Sequence, residues 1–183
     1  MNELIINLYK YFSKFVSKDV LRKMFIQPIE SMKTGYQEIE AEILAGTDEF
    51  VIPDFDTYVV SINESFLSER MKNSKDFVLF IEYGEMDVDH ETVKGVKQSL
   101  SIAVAHNFST TNNDNLNEIL LMNKCLEILD QIIAHMQSEQ DSLDFCQNAE
   151  LITFPAAYKV IDPAAFYNCG GWAAQFKNSH TIL

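Results

Sequence analysis

At 183 residues and 47% apolar composition, the chain is long enough to bury a substantial core and reads as one globular domain, residues 1–183. Its formal charge of −13 is unevenly placed: residues 1–23 hold five basic side chains against two acidic ones, so the remainder carries −16. An acidic body repels nucleic-acid backbones and anionic membranes, which argues against DNA binding through most of the surface. It suits a basic partner, or a wall that DNA slides past without sticking.

Residues 1–27 form an N-terminal helical segment. Ile5, Leu8, Phe12 and Phe15 recur at helical spacing. Lys10, Lys14, Lys18 and Arg22 recur every fourth residue, one basic ridge if the helix continues to Met24. That ridge is either a solvated face or a dock for an acidic surface, including that of a second copy. Gln27-Pro28 ends the segment, because the residue before proline is pushed out of helical geometry. Residues 28–49 read equally as strand or helix, since Ile39, Ala41 and Ile43 alternate with Glu40 and Glu42.

From Phe50 the period becomes two, and residues 50–183 are expected to hold a sheet and a core helix. Tyr58, Val60 and Ile62 oppose Thr57, Val59 and Ser61, a strand with one buried face. Glu64 to Asp76 is a charged, solvent-side connection. Phe77, Leu79, Ile81 and Tyr83 alternate with Val78, Phe80 and Glu82, a strand apolar on both faces and therefore central. Gly84 to Gly95 reads as a long loop carrying Glu85, Asp87, Asp89 and Glu91. Leu100, Ile102, Val104 and His106 then mark a third strand.

The strongest signal runs from Asn113 to Gln137. Asn115 stands three residues before Glu118, in capping-box spacing. Ile119, Met122, Leu126, Leu129, Ile133 and Met136 form one apolar row, and Leu121, Cys125, Ile128 and Ile132 a second beside it. Asn123, Lys124, Glu127, Asp130 and Gln131 make a narrow polar stripe. The pattern predicts a helix of about six or seven turns, apolar over more than half its circumference. After an acidic stretch, Leu151 to Phe154 begins a fourth strand that Pro155 confines to an edge or a bulge. Residues 170–177 give the last strand, with Trp172, Ala174 and Phe176 on one side, admitted by a turn at Gly170-Gly171. The expected class is α+β, a mainly antiparallel sheet packed on one long core helix plus an N-terminal helix.

No catalytic, cofactor or metal site emerges. The six glycines spell no phosphate- or dinucleotide-binding loop, and the chain has no G-x-S-x-G and no H-E-x-x-H. Asn168-Cys169-Gly170-Gly171-Trp172 superficially matches a papain-like cysteine signature, but Gly171 occupies the nucleophile position and only eleven residues follow Trp172. Asp87 opens no calcium loop, because Thr92 fills the sixth position and Gln98 the twelfth. Three cysteines without C-x-x-C spacing favour a reducing compartment. Neither a secretory signal nor an apolar run of about 20 residues is expected.

The order of elements over residues 50–183, closed by Gly171-Trp172-Ala173-Ala174-Gln175-Phe176, resembles bacteriophage tail-terminator (tail completion) proteins. The resemblance implies a non-enzymatic, structural α+β subunit of the virion tail or neck, assembled in the host cytoplasm. It implies a ring, hexameric by preference, between the tail tube and the head connector, with DNA passing unbound and no membrane or cofactor involved. The alternative is an acidic cytoplasmic binding protein, of immunity or adaptor type, that neutralises a basic protein partner. The candidate interaction residues are Lys10, Lys14, Lys18 and Arg22 on the ridge and Glu85, Asp87, Asp89 and Glu91 on the acidic segment.

Overall fold

The computed structural model describes residues 4–61, 70–71, 74–89, 95–108, 114–141, 156–163, 166 and 168–182. Their order is α1 (Leu4–Ser13), α2 (Lys18–Met24), a 3-10 turn leading into α3 (Lys33–Ala45), β1 (Phe55–Val60), β2 (Phe77–Asp89), β3 (Gly95–Asn107), α4 (Asn115–Asp141), β4 (Ala156–Ile161) and β5 (Cys169–Ile182). The strands make one five-stranded sheet in the order β1-β2-β3-β5-β4. Only the β1–β2 pair is parallel; β2–β3, β3–β5 and β4–β5 are antiparallel. The class is α+β, as the alternating strand patterns and the long helical period predict.

Alternation sends the two sets of side chains on each strand to opposite faces. On the helix side lie Tyr58, Leu79, Ile81, Leu100, Ile102, Val104, Ala174 and Phe176, in one apolar cluster with Leu8, Phe12 and Phe15 of the N-terminal segment and Ile128, Leu129 and Ile132 of α4. The reverse face is buried as well. Val59, Val78, Phe80, Ala103, Ala105 and Ala173 pack there with Met71, Cys169 and Phe166. The expectation of helices covering one face therefore describes half of the sheet's burial. Likewise β1 buries both Tyr58 and Val59, and the supposedly solvent-side connection supplies the fully buried Met71.

β2 is interior to the sheet, as its two apolar faces predict, and β4 is an edge strand. That edge begins at Ala156, after the proline; residues 151–155, where the fourth strand was expected to begin, lie outside the described residues. Residues 33–45, ambiguous from their pattern, are helix.

The double glycine sits inside β5 and makes no turn. A Cβ on Gly171 would stand 2.0 Å from Val104 O and 2.7 Å from Ala105 Cα, and one on Gly170 would stand 2.2 Å from the Phe108 ring. Close approach to β3 and to Phe108, with no turn geometry, excludes side chains at both positions. The chain reverses just before, at Asn168, whose φ of 61° is one that asparagine tolerates. Its N–H donates to Pro163 O, and that of Cys169 to Phe166 O.

α4 is capped by Asp114, one residue earlier than expected. Asp114 Oδ1 accepts from Leu116 N at 2.9 Å, while its backbone oxygen accepts from Glu118 N. The buried arc runs through Cys125, Ile128, Leu129, Ile132, Ile133 and Met136, so Leu126 is half-buried at its margin. In the first two turns, Leu116, Ile119 and Leu120 are 62%, 55% and 57% exposed, and the fully buried arc begins only with Cys125 in the third turn. Accordingly Leu129→Ala and Ile132→Ala should each lower stability by about 2–5 kcal/mol. Leu120→Ala should change it by less than about 0.5 kcal/mol. Denaturant midpoints check this, and equal losses for Leu120→Ala and Leu129→Ala would place a cover over the start of the helix.

Candidate interaction surfaces

The basic ridge does not lie on one helix. Ser17 takes a β conformation, ψ 146°, and its side chain accepts from Val20 N, which caps a new helix at Lys18. Each of the four basic side chains meets a carboxylate of the same chain: Lys10 with Glu42, Lys14 with Glu139 at 2.6 Å, Lys18 with Asp48 at 3.5 Å, and Arg22 with Asp19 at 2.9 Å. Three of these pairs tie the N-terminal segment to α3, to the residues after it and to the end of α4.

The Lys14 pair is the most enclosed. Its ammonium donates to both Glu139 oxygens, at 2.6 and 2.7 Å, and lies 3.9 Å from the centre of the Tyr11 ring. Tyr11 Oη donates to Glu139 Oε2 at 2.6 Å. His135, one turn before Glu139 on α4, packs its ring on Phe50, with centroids 4.0 Å apart. Its Nε2 lies 2.9 Å from Glu139 Oε1, but the buried atom has no aligned hydrogen-bond partner.

Burial pushes the Glu139 carboxyl upward, but hydrogen bonds from Lys14 and Tyr11 outweigh it and hold the group below its ordinary value. For Lys14, burial is the larger effect and brings the ammonium below its usual range despite Glu139. Tyr11 is driven up by burial and then by its carboxylate partner. The pair thus outweighs desolvation at Glu139 but not at Lys14, and its service is to fix α1 against α4. Tyr11, Phe50 and His135 were not legible as partners of the ridge, because only the tertiary fold brings them to Lys14.

The acidic segment is not a loop over most of its length. β2 continues to Asp89 and β3 starts at Gly95, with Asp87 opposite Lys97 and Asp89 opposite Gly95. β3 in turn pairs with β5 as far as Ile182, so Gly95 to Gln98 lies between two partner strands. Among the described side chains, Tyr83, Leu100 and Phe176 are the last apolar-core members along these three strands. Beyond them a three-stranded arm runs on, and the six residues Gly84 to Asp89 alone span about 20 Å at ~3.3 Å each. Register shifts between Tyr83 and Met86 and between Gln98 and Leu100 mark its root. Glu85, Asp87 and Asp89 belong to this arm; His90 and Glu91 lie outside the described residues.

Among the described residues, no reactive constellation is brought together. Burial pushes the Cys125 thiol to about 12 and the Cys169 thiol to about 11, so both are inert, and Cys125 is the small buried hydrophobe its helical phase predicts. Cys146 lies outside the described residues. His106 is packed edge-on against Phe77, with centroids 5.0 Å apart. Among the described residues, no group of three or more His, Cys, Asp or Glu could hold a metal ion, and no helix is long and apolar enough to cross a membrane. A search of protein-family models returns no match, and no curated protein or solved structure matches significantly.

The sign of the Glu139 shift fixes a pH dependence. A carboxyl lowered on folding contributes stability that is complete above its unfolded value and is lost as pH falls through the folded one. Glu139→Gln should therefore lower the melting temperature at pH 7 and flatten its fall between about pH 5 and 3. A parallel fall in wild type and variant would remove Glu139 from the clamp.

Proposed function

We propose that the chain is a structural subunit of a bacteriophage or phage-like tail or neck, acting as a ring that caps the tail tube or joins it to the head connector. The observation that carries this reading is the three-stranded arm. A sheet that continues about 20 Å past the last described members of its core offers paired strands that a neighbouring subunit can cover. The layout of antiparallel strands, long helix and closing Gly171–Phe176 strand, which resembles tail-terminator proteins, supports the same reading. The exposed Leu116, Ile119 and Leu120 add an apolar surface of the kind that assembly buries. The role is non-catalytic, and DNA passes such a ring without specific contact because the chain is strongly acidic.

The second reading, an acidic protein that neutralises a basic partner, is favoured by the internal pairing of Lys10, Lys14, Lys18 and Arg22. With those cations engaged inside the chain, the outward field is dominated by carboxylates.

Native mass spectrometry at micromolar concentration separates the two. A ring former gives a closed oligomer, and replacing residues 86–97 by a two-residue Asn-Gly turn should return it to monomer with its melting cooperativity intact. A wild-type chain that stays monomeric alone, and then forms a one-to-one complex with a basic protein from its own gene neighbourhood, sinks the ring and supports the alternative.

A further inference from the structure

Nine large apolar side chains stand exposed among the described residues, and six of them gather in two patches. The first patch lies on the chain between α2 and α3, where Ile26, Ile29 and Met32 are 75%, 74% and 67% exposed. Local structure fixes their display. Met32 N donates to Ile29 O at 2.8 Å in a 3-10 turn, which sets residues three apart on one side. A hydrogen bond ties Tyr36 to the Ile26 backbone, and the Tyr36 ring packs edge-on against Phe25 with centroids 6.0 Å apart. The second patch is Leu116, Ile119 and Leu120 at the start of α4, one helical face by their spacing. Clustered apolar side chains held in water on ordered backbone mark contact surfaces.

The charge beside the two patches has opposite sign. Over residues 22–33, Arg22, Lys23 and Lys33 stand against Glu30 alone. Arg22 and Lys33 make only exposed local pairs, with Asp19 and Glu30, and Lys23 has no ion-pair partner among the described residues. The face of the second patch continues in steps of three and four through Asn123 to Glu127 and Asp130, both exposed. Over residues 114–130, four carboxylates stand against Lys124, which is itself paired with Asp54 at 3.6 Å.

From this we infer that the two patches are the two halves of one contact between copies of the chain. The turn at Ile26–Met32 of one copy lies on the first turns of α4 of the next, with Lys23 and Lys33 towards Glu127 and Asp130. The inference rests on the ring reading and names its contact. A second copy is the occupant because each patch carries what the other lacks: both are apolar at the centre, and one is flanked by cations where the other is flanked by carboxylates. Either patch against itself would bring like charges together, so a two-fold contact through one patch alone is disfavoured. The halves differ, the contact is therefore heterologous, and a heterologous contact repeated by rotation closes into a ring. Burial of the apolar centre supplies the affinity, and the flanking charge decides which surfaces meet.

Sedimentation velocity and native mass spectrometry on the full chain test this. Ile29→Asp with Met32→Asp blocks the first patch, and Leu116→Asp with Leu120→Asp blocks the second. All four side chains are exposed, so circular dichroism and melting should match the wild type. Each variant alone should be monomeric at concentrations where the wild type forms a ring. Mixed in equal amounts, the two should form a heterodimer and nothing larger, because each keeps the patch that the other has lost. Lys23→Gln with Lys33→Gln should raise the concentration for half-assembly about fivefold at about 0.05 M salt and much less at about 0.5 M. If the wild type assembles and either aspartate variant assembles identically to it, the inference falls and the ring reading stands. Variants that stay monomeric on mixing also overturn it, because the two patches then do not meet. So does a lysine variant that assembles like the wild type at low salt, since charge is what selects the partner. A wild type that is monomeric throughout overturns both the inference and the ring. Should an aspartate variant misfold, the alanine version of the same pair replaces it in the mixture, with a rise of about tenfold or more in its own half-assembly concentration.

Discussion

The constraint on which the structure depends is the double burial of β2, β3 and β5. Three adjacent strands with apolar side chains on both faces need two covers, and the two faces are built unequally. The helix side carries Leu79, Ile81, Leu100, Ile102, Val104 and Phe176, large enough to interlock with the side chains of α1, α2 and α4. The reverse face of β3 and β5 carries Ala103, Ala105, Gly171 and Ala173, so its cover must come close. Phe166 and Met71 provide it, with the Phe166 ring 5.7 Å from that of Phe80. The same economy of volume explains the glycine pair, since any side chain at 171 would collide with the backbone of β3.

Polar contacts then orient the covers that the apolar face merely attracts. Tyr58, fully buried on β1, donates its hydroxyl to Tyr9 O at 2.7 Å and so sets α1 against the sheet. Ile52 N donates to Phe15 O, fixing the chain that leads into β1 beside the end of the N-terminal segment. The Lys14–Glu139–Tyr11 cluster does the same for α4. At the start of β2, Asp56 accepts from Ser74 Oγ and from the N–H groups of Lys75 and Asp76, which pins the return of the chain so that β1 and β2 run parallel. Each of these bonds satisfies a group that burial or a chain reversal would otherwise leave orphaned.

Much of this was legible in the sequence, for definite physical reasons. The period of two in β2 and β3 and the period near 3.6 in α4 each reflect a real buried face, and all three elements include the residues expected for them, the two strands running longer. Helical spacing could not reveal that Leu116, Ile119 and Leu120 are exposed, because periodicity states which residues share a face and not whether anything covers it. The lysine spacing was misleading in a more instructive way. It ran unbroken across Ser17, and the cap signal there, serine followed by an aspartate in the first turn, was present but overlooked. The acidic segment read as a loop because charge lowers strand propensity, whereas pairing on both sides of β3 holds it extended. The parallel β1–β2 pair carried no local signal at all, since the direction of pairing is decided by the connection.

The paired lysines and the register of β2 on β3 belong to one argument about charge. A chain with −16 beyond its first 23 residues gathers its N-terminal cations into intramolecular pairs, which lowers self-repulsion within the folded domain. The pairs differ in permanence. Lys14 is fixed by two short bonds and an aromatic face, and releasing it would strand a half-buried ammonium. Lys10 and Lys18 are almost as enclosed as Lys14, but the carboxylates they meet remain mostly in water. The most firmly held lysine of the spaced set is thus flanked on both sides by lysines whose partners are solvated. The same offsetting of charge recurs along the sheet, where Asp87 of β2 stands opposite Lys97 of β3 and the extension as a whole stays close to neutral.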